Sequence, residues 1–368
     1  MTKYMANHEF HALNAHFADA FWFVDEGFWN SPAASVFHKH LSTHQFLLVP
    51  AGEAAKTWLW LQYCLEWLCQ KNWPVSKSVV GLGGGALLDL VALVAHLYKR
   101  GVPFISIPTT TLAMVDASLG GKCGINACGM KNMIGAMHEP LEHFLIPELL
   151  GDDLRASWIQ EGMSEAYKHG LLQDLTLSKK VAHFFREPSQ DELRVIIETA
   201  AKIKHEIMRQ EKKQPGIRHL LNLGHTTAHG FEAAALEAGT VLSHGSAVAI
   251  GLVLESYLMS GKKVAFEIAH DLNALLPDLK ELDRLWQKAL AYMKHDKKGN
   301  GSTIAVTCFG KPGQMTLELS TQVELGLEEK EKTGYGYRQE NAPNECWIKN
   351  IDVDKLRDCW KSFYHDFS

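Results

Sequence analysis

Over the first 150 residues, short apolar runs rich in β-branched and aromatic residues alternate with longer segments of helical spacing. Phe46–Val49, Ser78–Val80 and Phe104–Ile107 read as strands, and Ala54–Gln70 and Leu87–Tyr98 read as helices between them. This alternation predicts a parallel α/β layer. From Asp153 to about Tyr292 almost every segment has helical periodicity and strand candidates are few. The pattern divides the chain into an N-terminal parallel-sheet domain, residues 1–150, and a C-terminal, mainly helical domain, residues 151–368. Toward the end, Ser302–Cys308 reads as a strand. The charge run Glu328–Lys332 and the glycine- and tyrosine-rich stretch Thr333–Asn344 read as a solvated loop or hairpin, and Asp354–Phe363 as a closing amphipathic helix.

A chain of 368 residues, 46% hydrophobic and 21% charged, has the composition of a globular enzyme of about two domains. Its net charge of -5 argues against a general affinity for nucleic acid or an acidic membrane surface, so an anionic ligand has to be met by a local basic cluster. The most apolar stretch, Val79–Tyr98, is interrupted by Asp89 and His96 and opens on glycines, which speaks against a membrane span. The first residues have no continuous apolar region of the kind a signal peptide needs. Seven cysteines without CxxC spacing suggest neither a disulfide framework nor a cysteine zinc site; a reducing cytoplasm is expected.

Candidate chemistry begins at Gly81-Leu-Gly-Gly-Gly85, after an apolar strand and before a helix. Bare backbone at a helix N-terminus exposes N–H groups to a pyrophosphate, although the run is not the GxGxxG fingerprint and also fits a plain strand–helix turn. Asp89 lies four residues further on, where it can bond a ribose or nicotinamide group. Ile107-Pro-Thr-Thr-Thr111 ends a strand, at the edge where α/β sheets bind ligands. Next come Val115-Asp116-Ala-Ser-Leu-Gly-Gly-Lys122 and Gly129-Met-Lys131-Asn132, expected to place two ammonium groups and an amide on one flexible loop suited to a phosphate or carboxylate.

His225 and His229, four apart in Gly224-His-Thr-Thr-Ala-His229, share one helix face. His244-Gly245 precedes a helix expected to start near Ser246, and Glu165 lies in Glu161-Gly-Met-Ser-Glu165-Ala-Tyr-Lys168. One glutamate and two of these histidines, with a position left for water or substrate, suit a catalytic zinc ion. In a chain with 19 histidines an HxxxH spacing is not diagnostic alone, and the absence of HExxH argues against a zincin protease. Around the histidines stand Lys204, Arg218 and Asn222; an arginine fork recognises a planar carboxylate. Asp296-Lys297-Lys298 is either a second anion site or a polar loop.

In their order, the glycine turn with Asp89, Tyr98-Lys-Arg100-Gly101, the PTT, VDxSxGGK and GMKN segments, and GHTxxH followed by HG resemble the 3-dehydroquinate synthase family of sugar-phosphate cyclases, from about Phe46 to about Phe309. The resemblance implies NAD held by Asp25, Glu53, Lys56, Gly84, Gly85, Asp89, Thr109 and Thr110. It implies a divalent metal, zinc ahead of cobalt, on Glu165, His225 and His244. Lys122, Asn132, Asn222 and His229 match positions that meet the substrate phosphate, and either Lys297 or Lys298 contributes as well. Arg100 matches an arginine supplied by the partner in a homodimer, and Asp116, Lys131 and Lys168 match further active-site positions. Lys204 and Arg218 match the pair that meets the substrate carboxylate, which points to 3-deoxy-D-arabino-heptulosonate 7-phosphate and the shikimate pathway.

The implied reaction is an oxidation at the expense of NAD, phosphate elimination, return of the hydride, ring opening and an aldol closure, with NAD regenerated. Four departures stand out. Ser246 replaces the usual glutamate after HG and is expected to cap a helix, Cys123 replaces a threonine, Asn126-Ala-Cys replaces an Asn-His-Pro-like run, and Leu88 replaces a glycine. The competing readings are a sister cyclase acting on another sugar phosphate, a metal-dependent alcohol dehydrogenase of the glycerol dehydrogenase kind, and a catalytically dead scaffold.

Overall fold

Six parallel strands form the large sheet of the computed structural model, which describes residues 2–4, 17, 19–38, 41, 45–128, 130–211, 216–295, 303–307 and 348–367. In chain order the strands are β1 (Thr2–Tyr4), β2 (Phe21–Asp25), β3 (Phe46–Val49), β4 (Val79–Gly83), β5 (Phe104–Pro108), β6 (Lys122–Ala127), β7 (Met130–Met137) and β8 (Glu142–Leu145). The sheet order is β1-β8-β5-β4-β2-β3, and β6 and β7 form a separate antiparallel pair. Helices longer than one turn in this part are α1 (Trp58–Gln70) and α2 (Gly85–Leu97). The strand β2 shows why the sheet is buried on both faces. Phe21 and Phe23 join a core with α1 and α2, whereas Trp22 and Val24 point the other way into a second core with Leu82, Ile105 and Ile107. A strand apolar on both faces has no polar alternation, and β1, β2 and β8 are absent from the sequence reading for want of that signal or of length.

Two boundaries differ from expectation. The strand expected to end at Val80 runs on through Gly83, so only Gly84 and Gly85 make the turn. A Cβ on Gly83 would lie 2.6 Å from the Cβ of Asp25 and 2.5 Å from Leu87, so this glycine serves close packing. The helix expected from Ala54 begins at Trp58, because the Thr57 hydroxyl accepts from the Trp60 N–H at 3.2 Å and caps it there.

The remaining helices are α3 (Met163–Gln173), α4 (Leu175–Arg186), α5 (Gln190–Glu211), α6 (His225–Ala238), α7 (His244–Ser260), α8 (Lys262–Asp271), α9 (Leu279–His295) and α10 (Val353–Phe367), with β9 (Thr303–Thr307) and β10 (Ile348–Asp352) paired antiparallel. The chain forms two compact units, residues 1–163 with 187–202, and residues 164–186 with 203–368. The boundary therefore lies past the expected residue 150, and the first part of α5 returns to the first unit. In the second unit α10 is anchored by Trp360, stacked on Trp286 at 4.4 Å and donating its indole N–H to Asp283 at 3.0 Å. The segments Glu328–Lys332 and Thr333–Asn344 lie outside the described residues.

Candidate active site

In the first unit, the candidate cofactor residues collect at the C-terminal ends of the parallel strands, where open α/β sheets bind ligands. Gly84 and Gly85 open α2 with no side-chain cap, and the methyl of Thr110 is next to Gly84. Asp25 is buried at the end of β2 and accepts the Phe28 N–H at 3.0 Å; burial raises its carboxyl above the usual value, against the N–H donors of Phe28 and Gly27. Thr109 is buried and donates its backbone N–H to Gly83, and Thr110 caps the next turn through Ala113. Asp116 sits half-buried in a turn of π-helix, Ala113–Ala117.

Lys56, also buried, donates to Asp89 at 2.7 Å and to the side-chain oxygen of Asn132. Asn126 donates to Glu53 at 2.6 Å, accepts the Asn132 N–H at 2.9 Å, and donates its own N–H to the Lys56 carbonyl at 2.8 Å. One polar chain thus joins Glu53, Lys56 and Asp89 to Asn132. Asn126 is a connector that the sequence reading treated only as a departure.

Lys122, Lys131 and Asn132 were expected on a flexible loop; they stand on the antiparallel hairpin β6–β7. Cys123 and Ile125 alternate inward to the α1–α2 core, and Gly124 faces Gly135, where any Cβ would meet backbone within 2.7 Å. That alternation and the glycine pair make a ribbon of what looked like a loop. Cys123, in place of threonine, donates its thiol to the Ala136 carbonyl at 3.3 Å. Lys122 and Lys131 are exposed, and Asn132 has a left-handed φ of 56°. Arg100 is exposed as well, in a turn where Lys99, Arg100 and Gly101 all have positive φ.

In the second unit three donor groups converge. Glu165 on α3 is wholly buried, and its Oε1 lies 3.1 Å from His225 Nε2 and 3.3 Å from His244 Nε2. The donor atoms of the three residues all lie within 4.8 Å of one another, a carboxylate–imidazole set suited to a divalent ion. His229 stands one turn beyond His225, ring centroids 5.5 Å apart. Lys168, one turn after Glu165, is buried, ion-paired to it, and donates to the Leu221 carbonyl at 2.6 Å. Burial pushes the Glu165 carboxyl up, but the Lys168 ammonium and His225 outweigh it and hold the carboxyl well below the usual range.

The backbone explains how the histidines reach this point. His225 is the first residue of α6, after Gly224 in the left-handed region at φ 79°. Gly224 has no side chain to cap α6, and Glu255 of α7 does so instead, accepting the N–H groups of Gly224 at 2.8 Å and Thr227 at 3.1 Å. His244 is the first residue of α7, whose cap is Ser243, accepting the Ser246 N–H at 3.2 Å. The helix thus starts two residues earlier than expected, and Ser246 is the capped residue rather than the cap. Glu255 and Glu232, which accepts from His244, were missed by the sequence reading. Glu255 had a signal, a lone acid in the apolar run Ala247–Leu254, and Glu232 another, its spacing after the two histidines.

Lys204 is buried on α5, not a surface charge. Arg218 and Asn222 are half-buried in the 3-10 turn Ile217–Asn222, and Glu211 fixes the start of that turn by accepting the N–H groups of Gly216 at 3.1 Å and Arg218 at 2.8 Å. Lys297 and Lys298 lie outside the described residues.

Family models described as 3-dehydroquinate synthase N-terminal and 3-dehydroquinate synthase C-terminal match residues 46–154 and 162–299. The 3-dehydroquinate synthase of Methylacidiphilum infernorum (isolate V4) is 33% identical over 284 residues, 74% of this chain and 77% of that protein. Two solved structures share the fold. One is a 2-epi-5-epi-valiolone synthase from Streptomyces hygroscopicus subsp. jinggangensis 5008 with NAD+ and Zn2+ bound, TM-score 0.74 at 20% identity over 100% of this chain and 97% of its own. The other is a 2-deoxy-scyllo-inosose synthase complexed with carbaglucose-6-phosphate, NAD+ and Co2+, TM-score 0.72 at 18% identity over 98% and 96%. With both halves of the model matched in order, and a relative one-third identical over most of both chains, this protein belongs to the 3-dehydroquinate synthase family.

Proposed function

We propose that this chain is a 3-dehydroquinate synthase, converting 3-deoxy-D-arabino-heptulosonate 7-phosphate to 3-dehydroquinate and inorganic phosphate with NAD and one divalent ion. The observation that carries the reading is the convergence of Glu165, His225 and His244 beside buried Lys168, in a chain of this family. The donor set fits the ion: both imidazoles turn Nε2 to Glu165 while their Nδ1 atoms face the Leu223 carbonyl and Glu232. The uncapped start of α2 at Gly84 and Gly85 fits a pyrophosphate, with Asp25, Glu53, Lys56, Asp89, Thr109 and Thr110 as further cofactor contacts. The Zn2+ and Co2+ of the two structural neighbours favour zinc, with cobalt a competent substitute.

When bound, the two groups supply a Lewis acid and a hydride acceptor that is regenerated. The chain's own residues do the rest. Lys168 neutralises one oxygen of Glu165, leaving the other turned to the two imidazoles. Lys204 and Arg218 take the substrate carboxylate, the latter by its planar fork. Lys122, Asn132, Asn222, His229 and one of Lys297 and Lys298 hold the phosphate, with Arg100 supplied by the partner in a homodimer. Asp116 and Lys131 orient hydroxyls, and His229 relays a proton at its imidazole nitrogen. No helix among the described residues is long and apolar enough to cross a membrane, and the described cysteines are free thiols, which suits a reducing cytoplasm.

The test is to incubate purified protein with the heptulosonate phosphate and a small amount of NAD. Phosphate and a carbocyclic product should appear with no net NADH. Stoichiometric NADH would mean a dehydrogenase, and faster turnover of heptulose 7-phosphate would mean a sister cyclase.

A further inference from the structure

We infer that Glu232 is a positioning residue of the metal site, orienting the imidazole of His244 through its Nδ1. The inference rests on the metal reading of Glu165, His225 and His244. Glu232 Oε1 lies 3.4 Å from His244 Nδ1, while His244 Nε2 lies 3.3 Å from Glu165 Oε1. The same ring thus has a carboxylate at each nitrogen. A neutral imidazole has one N–H, and an acceptor at Nδ1 places that hydrogen there, leaving the Nε2 lone pair free to ligate. His225 reaches the same state by another route, with its Nδ1 3.1 Å from the Leu223 carbonyl.

The two supports differ in kind. The Leu223 carbonyl is fixed backbone two residues from its histidine, whereas Glu232 is a half-buried side chain reaching from α6 to the first residue of α7. It stands seven residues after His225, about two turns along the same face of α6. One helix therefore supplies both a ligand and the support for the ligand on its neighbour. The anionic acceptor also makes the His244 nitrogen a stronger donor to the ion than a carbonyl would.

The experiment measures Zn2+ affinity by competition with a chromophoric chelator, and the d–d absorption of the Co2+-loaded protein, for wild type, E232A, E232Q and H244A. E232A should bind Zn2+ about 10- to 100-fold more weakly and show an altered Co2+ band, while its metal-free thermal transition stays near that of wild type. E232Q keeps the shape and an acceptor oxygen but not the charge, so it should fall between the two; it also carries the test should E232A not fold. Wild-type affinity and an unchanged Co2+ spectrum in both Glu232 variants, with H244A losing the metal, would overturn the role of Glu232 alone. Undiminished binding in H244A as well would overturn the metal reading and the inference with it.

Discussion

Replacing Glu255 by alanine removes the acceptor that holds the first turn of α6. Its two oxygens take the N–H groups of Gly224 and Thr227 at 2.8 and 3.1 Å, and the residue has no exposure to solvent. Both donors belong to the unpaired set at every helix start, so no intrahelical carbonyl replaces the carboxylate. A hydrogen bond to a charged acceptor contributes about 1.5–3 kcal/mol, so the pair holds roughly 3–6 kcal/mol gross. Alanine also relieves the buried carboxylate of its desolvation, which the helix dipole and the two donors offset only in part. The net destabilisation comes to about 2–4 kcal/mol, or a thermal transition lower by roughly 5–15 °C for a unit of this size. Glu255→Gln keeps one acceptor oxygen but turns an amide N–H2 to the other donor, so it costs a comparable amount. Calorimetry of the metal-free protein reads the transition, and hydrogen exchange reads the Gly224 and Thr227 amides directly. A transition within about 2 °C of wild type, with both amides still protected, would refute the assignment of Glu255 as the cap of α6.

Gly251→Ala would place a Cβ 1.8 Å from the Gly224 carbonyl oxygen, forcing α6 off α7. We expect a loss of about 3 kcal/mol or more in denaturant unfolding, and reduced zinc content by elemental analysis because His225 moves with Gly224. Burial lowers the pKa of His244, but hydrogen bonds to Glu165 and Glu232 raise it further, to about 10. In the metal-free protein near neutrality this imidazole is therefore protonated, and binding an ion should release about one proton from it, with affinity rising about tenfold per pH unit up to that pKa. Calorimetric titration in buffers of different ionisation enthalpy checks this, and a buffer-independent heat contradicts it. Arg218→Ala should lower kcat/KM on the heptulosonate phosphate by roughly 30- to 1000-fold, from a charge-assisted contact of about 2–4 kcal/mol. An analogue with a neutral group in place of the carboxylate should lose much less, and equal losses on both would leave Arg218 a packing residue.

The sequence by itself determined the parallel α/β layer, because its buried strands are continuous apolar runs followed by helical spacing. It also marked the helical second half, and it put Glu165, His225 and His244 on the page as a candidate metal set through residue type and motif order. The limits of that reading are physical. A run such as Phe21–Asp25, apolar on both faces, has no alternation to announce a strand, and Lys122–Met137 became a hairpin only because Cys123 and Ile125 found a core and Gly124 found Gly135. Only the tertiary structure decided that Lys204 and Lys168 are buried, and that Asn126 ties the hairpin to Glu53 and Lys56. It alone placed Glu232 and Glu255 behind the histidines. Those two acids act across from one helix to the next, and a contact between helices depends on which faces pack, which no spacing along a single chain segment encodes.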